Sequence, residues 1–173
     1  MADQKTHIKK GMLIGLILIL LDIALQLTHN KFQLWVANTN IAIMLLGVII
    51  AMNIQTPKTE GKIVFSNLFG YGFRVSVVAV CALFIYNVLS VYVVFPGYLT
   101  ELYEHNLAEA QKLPNFDATK VAENKDMAMK VMRTSLLSMV VMFNLAIGIT
   151  GALVGSIIAL LVESFNLKKV SQQ

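Results

Sequence analysis

Four long apolar runs, separated by polar stretches, constrain this chain more than any other feature of its sequence. An α-helix rises about 1.5 Å per residue, so about 20 apolar residues cross a hydrocarbon core about 30 Å thick. We expect four membrane spans, at about residues 11–29, 34–54, 70–95 and 134–163. Of 173 residues, 57% are hydrophobic and 14% charged, whereas soluble domains hold about 45–50% and about 25%. The sequence therefore predicts an all-α integral membrane protein.

The lysines predict the orientation of these spans. The short loop between the first two spans holds only Lys31, whereas the opposite side of the membrane receives Lys5, Lys9, Lys10, Lys58, Lys62, Lys168 and Lys169. Because cytoplasmic loops carry the excess of basic residues, we expect both termini to be cytoplasmic. A basic head before an apolar run is also typical of a signal peptide. No small-x-small cleavage motif follows here, so we expect the first run to be retained as a span.

Residues 96–133, between the third and fourth spans, have their own helical pattern. Pro96 suits a first helical turn, and one apolar face is predicted by Tyr98, Leu99, Leu102, Tyr103 and Leu107. Asp117 is a suitable N-cap for a second helix that is continuous with the fourth span. We expect an extracytoplasmic helical hairpin. The segment KIVFSNLF (62–69) is too short to cross a bilayer, and we expect it to form an interfacial turn on the cytoplasmic surface.

A layer of polar residues is predicted roughly 6 to 15 Å below the outer edge of the membrane. Its members are Asp22, Asn38, Asn40, Asn87 and Asn144. A carboxylate at a helix centre costs about 2.5–3.5 kcal/mol on insertion scales, so Asp22 should face other helices, with Asn87 and Asn144 as the favoured partners. We expect a structural role for this layer. The alternatives are a proton or ion pathway, or a contact with another membrane protein.

Small residues predict close helix packing in the first and last spans. Gly11 and Gly15 form one GxxxG motif, and the last span carries a stripe of Gly148, Gly151, Ala152, Gly155 and Ala159. We expect the first and fourth spans to pack together through these faces. The alternative is an interface with a second copy or another membrane protein.

Two charged residues are predicted at similar depth near the inner end of the membrane. Arg74 follows the start of the third span, and Glu163 closes the fourth. We expect the two side chains to form an ion pair, or Arg74 to extend its side chain to lipid phosphates.

The sequence contains no pattern typical of catalysis or of a cofactor site. Glu101, His105 and Glu109 follow one another at helical spacing, but without a second histidine we expect no metal. Cys81 is the only cysteine, and the basic residues are too scattered to predict nucleic-acid binding. We therefore expect a protein that is not an enzyme and has no cofactor.

The order of segments resembles a known family. KIVFSNLFGYGFRVSVV leads into the third span, FPGYLTELYEHNLAEAQK follows it, and a Met-rich approach precedes a Gly-rich last span. Over nearly its whole length the chain resembles the bacterial membrane family catalogued as domain of unknown function 4199. The resemblance implies an inner-membrane protein of a Gram-negative bacterium with no assigned activity. It also implies gene neighbours that encode polyprenyl-phosphate glycosyltransferases, and hence such an enzyme as a partner.

These features favour a noncatalytic accessory subunit of a membrane complex. Its expected partners are membrane lipid and either a second copy or another membrane protein, and no soluble ligand is predicted. The alternative is a small oligomeric transporter or channel with Asp22 in its pathway. A lipid-modifying enzyme would need a nucleophile, metal cluster or carboxylate pair near an interface, and the sequence has none with suitable spacing.

Overall fold

The structure, a computed structural model, describes residues 6–28, 30–31, 33–54, 63–112 and 125–170. Within these residues the chain forms α-helices and no β-strand, as predicted. The helices are α1 (Thr6–Leu27), α2 (Leu34–Ile54), α3 (Phe65–Leu89), α4 (Tyr98–Ala110) and α5 (Lys125–Val170), with a π-helical turn (Ser90–Val94) directly after α3.

Three helical segments are long and apolar enough to cross a membrane. They are Trp35–Asn53 in α2, Phe65–Val94 in α3 with its π-helical turn, and Lys125–Phe165 in α5. These three segments indicate a membrane protein. The remaining predicted span lies in α1, whose 22 residues include Lys9, Lys10 and Asp22.

The described residues fall into two units. The first holds α1, α2, α3 as far as Leu83, and α5 from Met142 onward. The second is Phe84–Val141, which includes the end of α3, the π-helical turn, α4 and the first part of α5. Its α4 buries Leu99 and Tyr103, two positions of the predicted apolar face. The predicted N-cap Asp117 lies outside the described residues, and α5 is continuous from Lys125 through the fourth predicted span.

In the first unit α1 packs against both α2 and α3. A Cβ built on Gly11 would lie 2.6 Å from the carbonyl oxygen of Val75 on α3, and one built on Gly47 of α2 would lie 3.0 Å from Cγ1 of Ile14 on α1. Gly15 likewise faces Ala79 and therefore α3. The expected pairing of this glycine face with α5 is corrected: its neighbour is α3.

The glycine stripe of α5 packs mainly on α2. A Cβ built on Gly151 would lie 3.2 Å from the carbonyl oxygen of Leu45, and one on Gly155 would lie 3.4 Å from Cα of Ile49. The first glycine of the stripe, Gly148, lies against both Ser76 of α3 and Met44 of α2. The spacing of small residues predicts that another helix packs closely against them, but it does not identify that helix. In this structure the neighbouring helices are α2 and α3.

The third span begins earlier than predicted, and it ends close to the predicted residue in a π-helical turn. The helix α3 begins at Phe65, so most of the segment predicted as an interfacial turn belongs to its first turns. Phe65, Phe69 and Phe73 stack along one side of this helix, and Leu68 is fully buried. At the other end, the N–H of Phe95 donates to the carbonyl of Ser90 at 2.8 Å, which closes a π-helical turn. Pro96 follows, and the residue before a proline is disfavoured in helical geometry.

A glycine in close contact with another helix, Gly11, and a glycine without such a contact, Gly70, allow a matched test of this packing. Gly11→Ala should lower the free energy of unfolding by about 1–3 kcal/mol, because the added methyl group meets the backbone of α3. Gly70→Ala should not, since nothing lies within 4 Å of a Cβ at that position. Thermal or denaturant unfolding in the same detergent checks the difference, and equal stability of the two variants would contradict the packing.

Candidate functional site

The carboxylate of Asp22 is held by an ion pair near the end of α1. Lys31 Nζ lies 3.1 Å from Asp22 Oδ1 and 3.2 Å from Oδ2, and Gln26 Nε2 donates to Oδ2 at 2.9 Å. The two charged side chains are mostly buried, with 16% of Lys31 and 19% of Asp22 exposed. The pair therefore ties the loop after α1 back onto its last turns.

Lys31 is the functional contact that sequence reasoning missed. The sequence pattern indicated only that Lys31 is a charge in the loop between two spans. It lies nine residues after Asp22, beyond the end of α1. An ammonium group this close gives the carboxylate a local counter-ion. Pairing of Asp22 with Asn87 or Asn144 stays a prediction.

The amide residues of the predicted polar layer differ in their surroundings. Asn40 and Asn144 are half-buried in the first unit, and Asn87 is half-buried in the second. Asn38 is exposed, so it does not face the interior of its unit. Asn38 is a member of the predicted polar layer, but its position in α2 places it on the outward side of the unit.

A second charged contact links the beginning of α1 to the end of α2. Lys10 Nζ donates to the backbone carbonyl of Ala51, in the last turn of α2. The last carbonyls of a helix lack partners within the helix and carry partial negative charge, so an ammonium group stabilises them.

Tyr71 completes this second contact. Lys10 Nζ lies 5.3 Å from the centre of the Tyr71 ring, and His7 meets the same ring edge-on with ring centres 6.4 Å apart. The Tyr71 hydroxyl is buried and has no hydrogen-bond partner among the described residues. The sequence signal was available here, since Lys10 precedes the apolar run of α1 by one residue, but it was used only to predict orientation.

The predicted ion pair between Arg74 and Glu163 is not formed. In the described part of the chain, ion pairs join Asp22 to Lys31 and Glu109 to Lys112. Arg74 is exposed and Glu163 is half-buried. Similar depth in the membrane does not place two residues on facing helix sides, which explains the error. The other expectation for Arg74, contact with lipid phosphates, stays a prediction.

The second unit contains cation–aromatic contacts. The guanidinium carbon of Arg133 lies 5.2 Å from the ring centre of Tyr92, in the π-helical turn, and Lys125 Nζ lies 5.7 Å from that of Tyr103. Such contacts contribute about 0.5–1 kcal/mol at exposed sites. They connect the first turns of α5 to the aromatic side chains of the same unit.

Glu109, the last of the three residues Glu101, His105 and Glu109 on α4, makes an ordinary surface contact. Lys112 is hydrogen-bonded to Glu109, and this hydrogen bond, together with the charge of Lys112, holds the pKa of the Glu109 carboxyl below its usual value. Among the described residues, no group of three His, Cys, Asp or Glu side chains is placed to hold a metal ion.

Comparison with known proteins gives one match. The family model described as "Protein of unknown function (DUF4199)" matches residues 9–164. No curated protein and no solved structure matches the chain.

The Asp22–Lys31 pair predicts a nonadditive mutation series. Exposed ion pairs contribute about 0.2–1 kcal/mol, and breaking a buried pair costs about 3–5 kcal/mol, so for this mostly buried pair we expect a loss of about 1–3 kcal/mol for Asp22→Asn or Lys31→Met. The double variant should be no less stable than the worse single variant, because it leaves no unpaired charge. Unfolding of all four proteins in one detergent measures the coupling. Strictly additive losses would show that the pair carries no stabilising interaction.

Proposed function

Because the chain belongs to the DUF4199 family of proteins of unknown function, we propose its role from its own geometry: it is a noncatalytic membrane subunit that binds another membrane protein. The observation that carries this proposal is an exposed apolar surface on the first turns of α5. These turns lie outside the part of the helix that a bilayer can cover.

The length of α5 supports this placement. Its 46 residues correspond to about 69 Å at 1.5 Å per residue, more than twice a hydrocarbon core of about 30 Å. The uncharged stretch 134–162 already exceeds the length of one span. We place the charged first turns, residues 125–133, outside the hydrocarbon layer.

Two large apolar side chains lie exposed on these first turns. Met127 is 69% exposed and Val131 is 58% exposed, and they are one helical turn apart on the same face. Apolar surface that neither lipid nor the protein covers is typical of a binding site for another protein. Methionine suits such a surface because its flexible, polarizable side chain adapts to a partner.

The glycine faces are less suited to this role. Gly11 and Gly15 already lie against α3, and Gly151 and Gly155 already lie against α2. A partner helix would have to displace the chain's own helices to reach them. We therefore assign the partner contact to the Met127 and Val131 surface.

The ion pair of Asp22 supports a structural role for this residue. A carboxylate in a proton or ion pathway must release and rebind its cation, whereas Asp22 is held by an ammonium group at 3.1 Å and an amide at 2.9 Å. The alternative of a small transporter or channel that uses Asp22 has less support. The family resemblance implies a polyprenyl-phosphate glycosyltransferase as the partner, and this identity stays a prediction.

The membrane arrangement belongs to the same proposal. We assign α1 as a fourth span, since its 22 residues correspond to about 33 Å and it packs on α2 and α3, the helices of two other spans. Both termini lie in the cytoplasm of a bacterial cell, and residues 96–133 form a helical hairpin outside the inner membrane. Lys9 and Lys10 at the start of α1 support this orientation.

Photo-crosslinking tests the partner surface. A photoreactive amino acid in place of Met127, activated in native membranes, should give a discrete adduct with a different protein. The same amino acid in place of Ile157, which is 47% exposed within the uncharged stretch of α5, should give none, because lipid surrounds it. An adduct at twice the mass of the chain, or solitary protein that moves solute in liposomes, would contradict the accessory role.

Cysteine labelling in intact cells tests the orientation. In a Cys81→Ser background, a membrane-impermeant maleimide should label His105→Cys from outside and label Lys9→Cys only after the cells are made permeable. Both positions are exposed in the structure, so access depends on the side of the membrane. The reverse pattern would overturn the assigned topology.

A further inference from the structure

One side of the first turns of α3 is left uncovered by the residues that the structure describes. Ser66, Gly70 and Arg74 follow one another at four-residue spacing, so they lie on the same side of the helix, which we call the Arg74 face. Ser66 and Arg74 are exposed. A Cβ built on Gly70 meets nothing within 4 Å, whereas every other described glycine inside a helix has a neighbour within that distance. Gly70 is therefore open to a molecule from outside the chain.

Arg74 requires an anion on this face. An arginine stays charged in any protein environment, and a charge in a membrane helix is costly unless it is paired. Neither ion pair of the described residues includes Arg74. Nine residues separate it from the beginning of α3 at Phe65, about 13 Å along an apolar segment of 30 residues, or about 45 Å. The guanidinium can therefore reach the headgroup level by extending its side chain.

An aromatic ridge runs beside the Arg74 face. The rings of Phe65 and Phe69 stack with centres 6.0 Å apart, and those of Phe69 and Phe73 with centres 6.5 Å apart. Phe65 and Phe73 are exposed, so the ridge offers a flat apolar surface next to a charged group. A ligand that fits both must combine an anionic head with an apolar tail.

The neighbouring charges favour a ligand with net negative charge. Lys10 lies 5.3 Å from the ring of Tyr71, which precedes Arg74 by one helical turn on the same helix. Lys9 is exposed beside it at the start of α1. A headgroup that carries its own cation, as phosphatidylcholine does, would bring that cation into a basic environment.

From these observations we propose that the Arg74 face binds an anionic phospholipid of the bilayer. The guanidinium of Arg74 donates paired hydrogen bonds to the phosphate, and the open surface at Gly70 lets the glycerol backbone approach the helix. The Ser66 hydroxyl, about 12 Å closer to the beginning of α3, is a further donor for the headgroup. The ridge of Phe65, Phe69 and Phe73 contacts an acyl chain. The site is independent of the Met127 and Val131 surface, so the outcome of the crosslinking experiment does not decide it.

Native mass spectrometry of the purified full chain, titrated with phosphatidylglycerol or phosphatidylcholine, tests the proposal. The wild-type protein should retain phosphatidylglycerol about tenfold better than phosphatidylcholine, and Arg74→Gln should remove that preference, because a charge-assisted contact is lost. Arg74→Lys should give an intermediate value, since an ammonium group cannot form the paired bonds. Gly70→Leu, which fills the open surface, should also lower retention.

The controls separate this site from general attraction of basic protein to anionic lipid. Arg133, the other arginine of the chain, lies over Tyr92, and Arg133→Gln should retain phosphatidylglycerol as the wild type does. Unfolding in phosphatidylcholine bicelles should be unchanged by Arg74→Gln, which excludes a folding defect. Equal retention by Arg74→Gln and wild type would overturn the proposal. Displacement of the lipid by inorganic phosphate alone, or loss of a dimer rather than of lipid in Arg74→Gln, would also overturn it.

Discussion

Close approach of helix backbones is the constraint on which the first unit depends. Lipid chains are as apolar as leucine, so burying leucine between helices gains little in a membrane, and packing must come from dense contact. Glycine allows this contact because it has no side chain to separate two helices. Gly11 brings α1 to the backbone of α3, and Gly151 brings α5 to the backbone of α2. Large aliphatic side chains such as Leu13 and Leu20 of α1 are then exposed on the outside of the unit.

The buried serine hydroxyls of this unit find acceptors within their own helices. The buried hydroxyls of Ser76 and Ser156 donate to the carbonyls four residues earlier in their own helices, at 2.9 and 2.7 Å. Lysines act at both ends of α1: Lys10 donates to the carbonyl of Ala51 in the last turn of α2, and Lys31 pairs with Asp22. One ammonium group thus offsets the partial negative charge at the end of a helix, and the other offsets the charge of a carboxylate. This use of polar residues is consistent with a packing role and does not call for a solute.

The sequence predicts the helices well and their neighbours poorly. Run length and hydropathy depend on each residue alone, which is why α2 and the long apolar part of α5 follow their predicted spans. Which helix meets a glycine face depends on side chains distant in sequence, so the pairing of Gly11 and Gly15 with α3 was not predictable from their spacing. The depth of Arg74 and Glu163 was estimated by counting residues, but depth carries no information on direction around the helix. Lys31 was missed because its contact with Asp22 depends on how the loop after α1 folds back.

The π-helical turn at Ser90–Val94 sets the geometry with which the chain leaves the third span. An α-helix advances about 100° per residue, and a wider turn holds one more residue than an α-helical turn does. Side chains after the turn therefore do not continue the angular sequence set by the turns before it. Within the turn itself, Tyr92 lies beside Arg133, and Val93 and Val94 are exposed. A single-residue deletion within these five residues would replace the wide turn by an ordinary α-helical turn, which covers the same full rotation with one residue fewer, so the chain would still enter Pro96 in about the same direction.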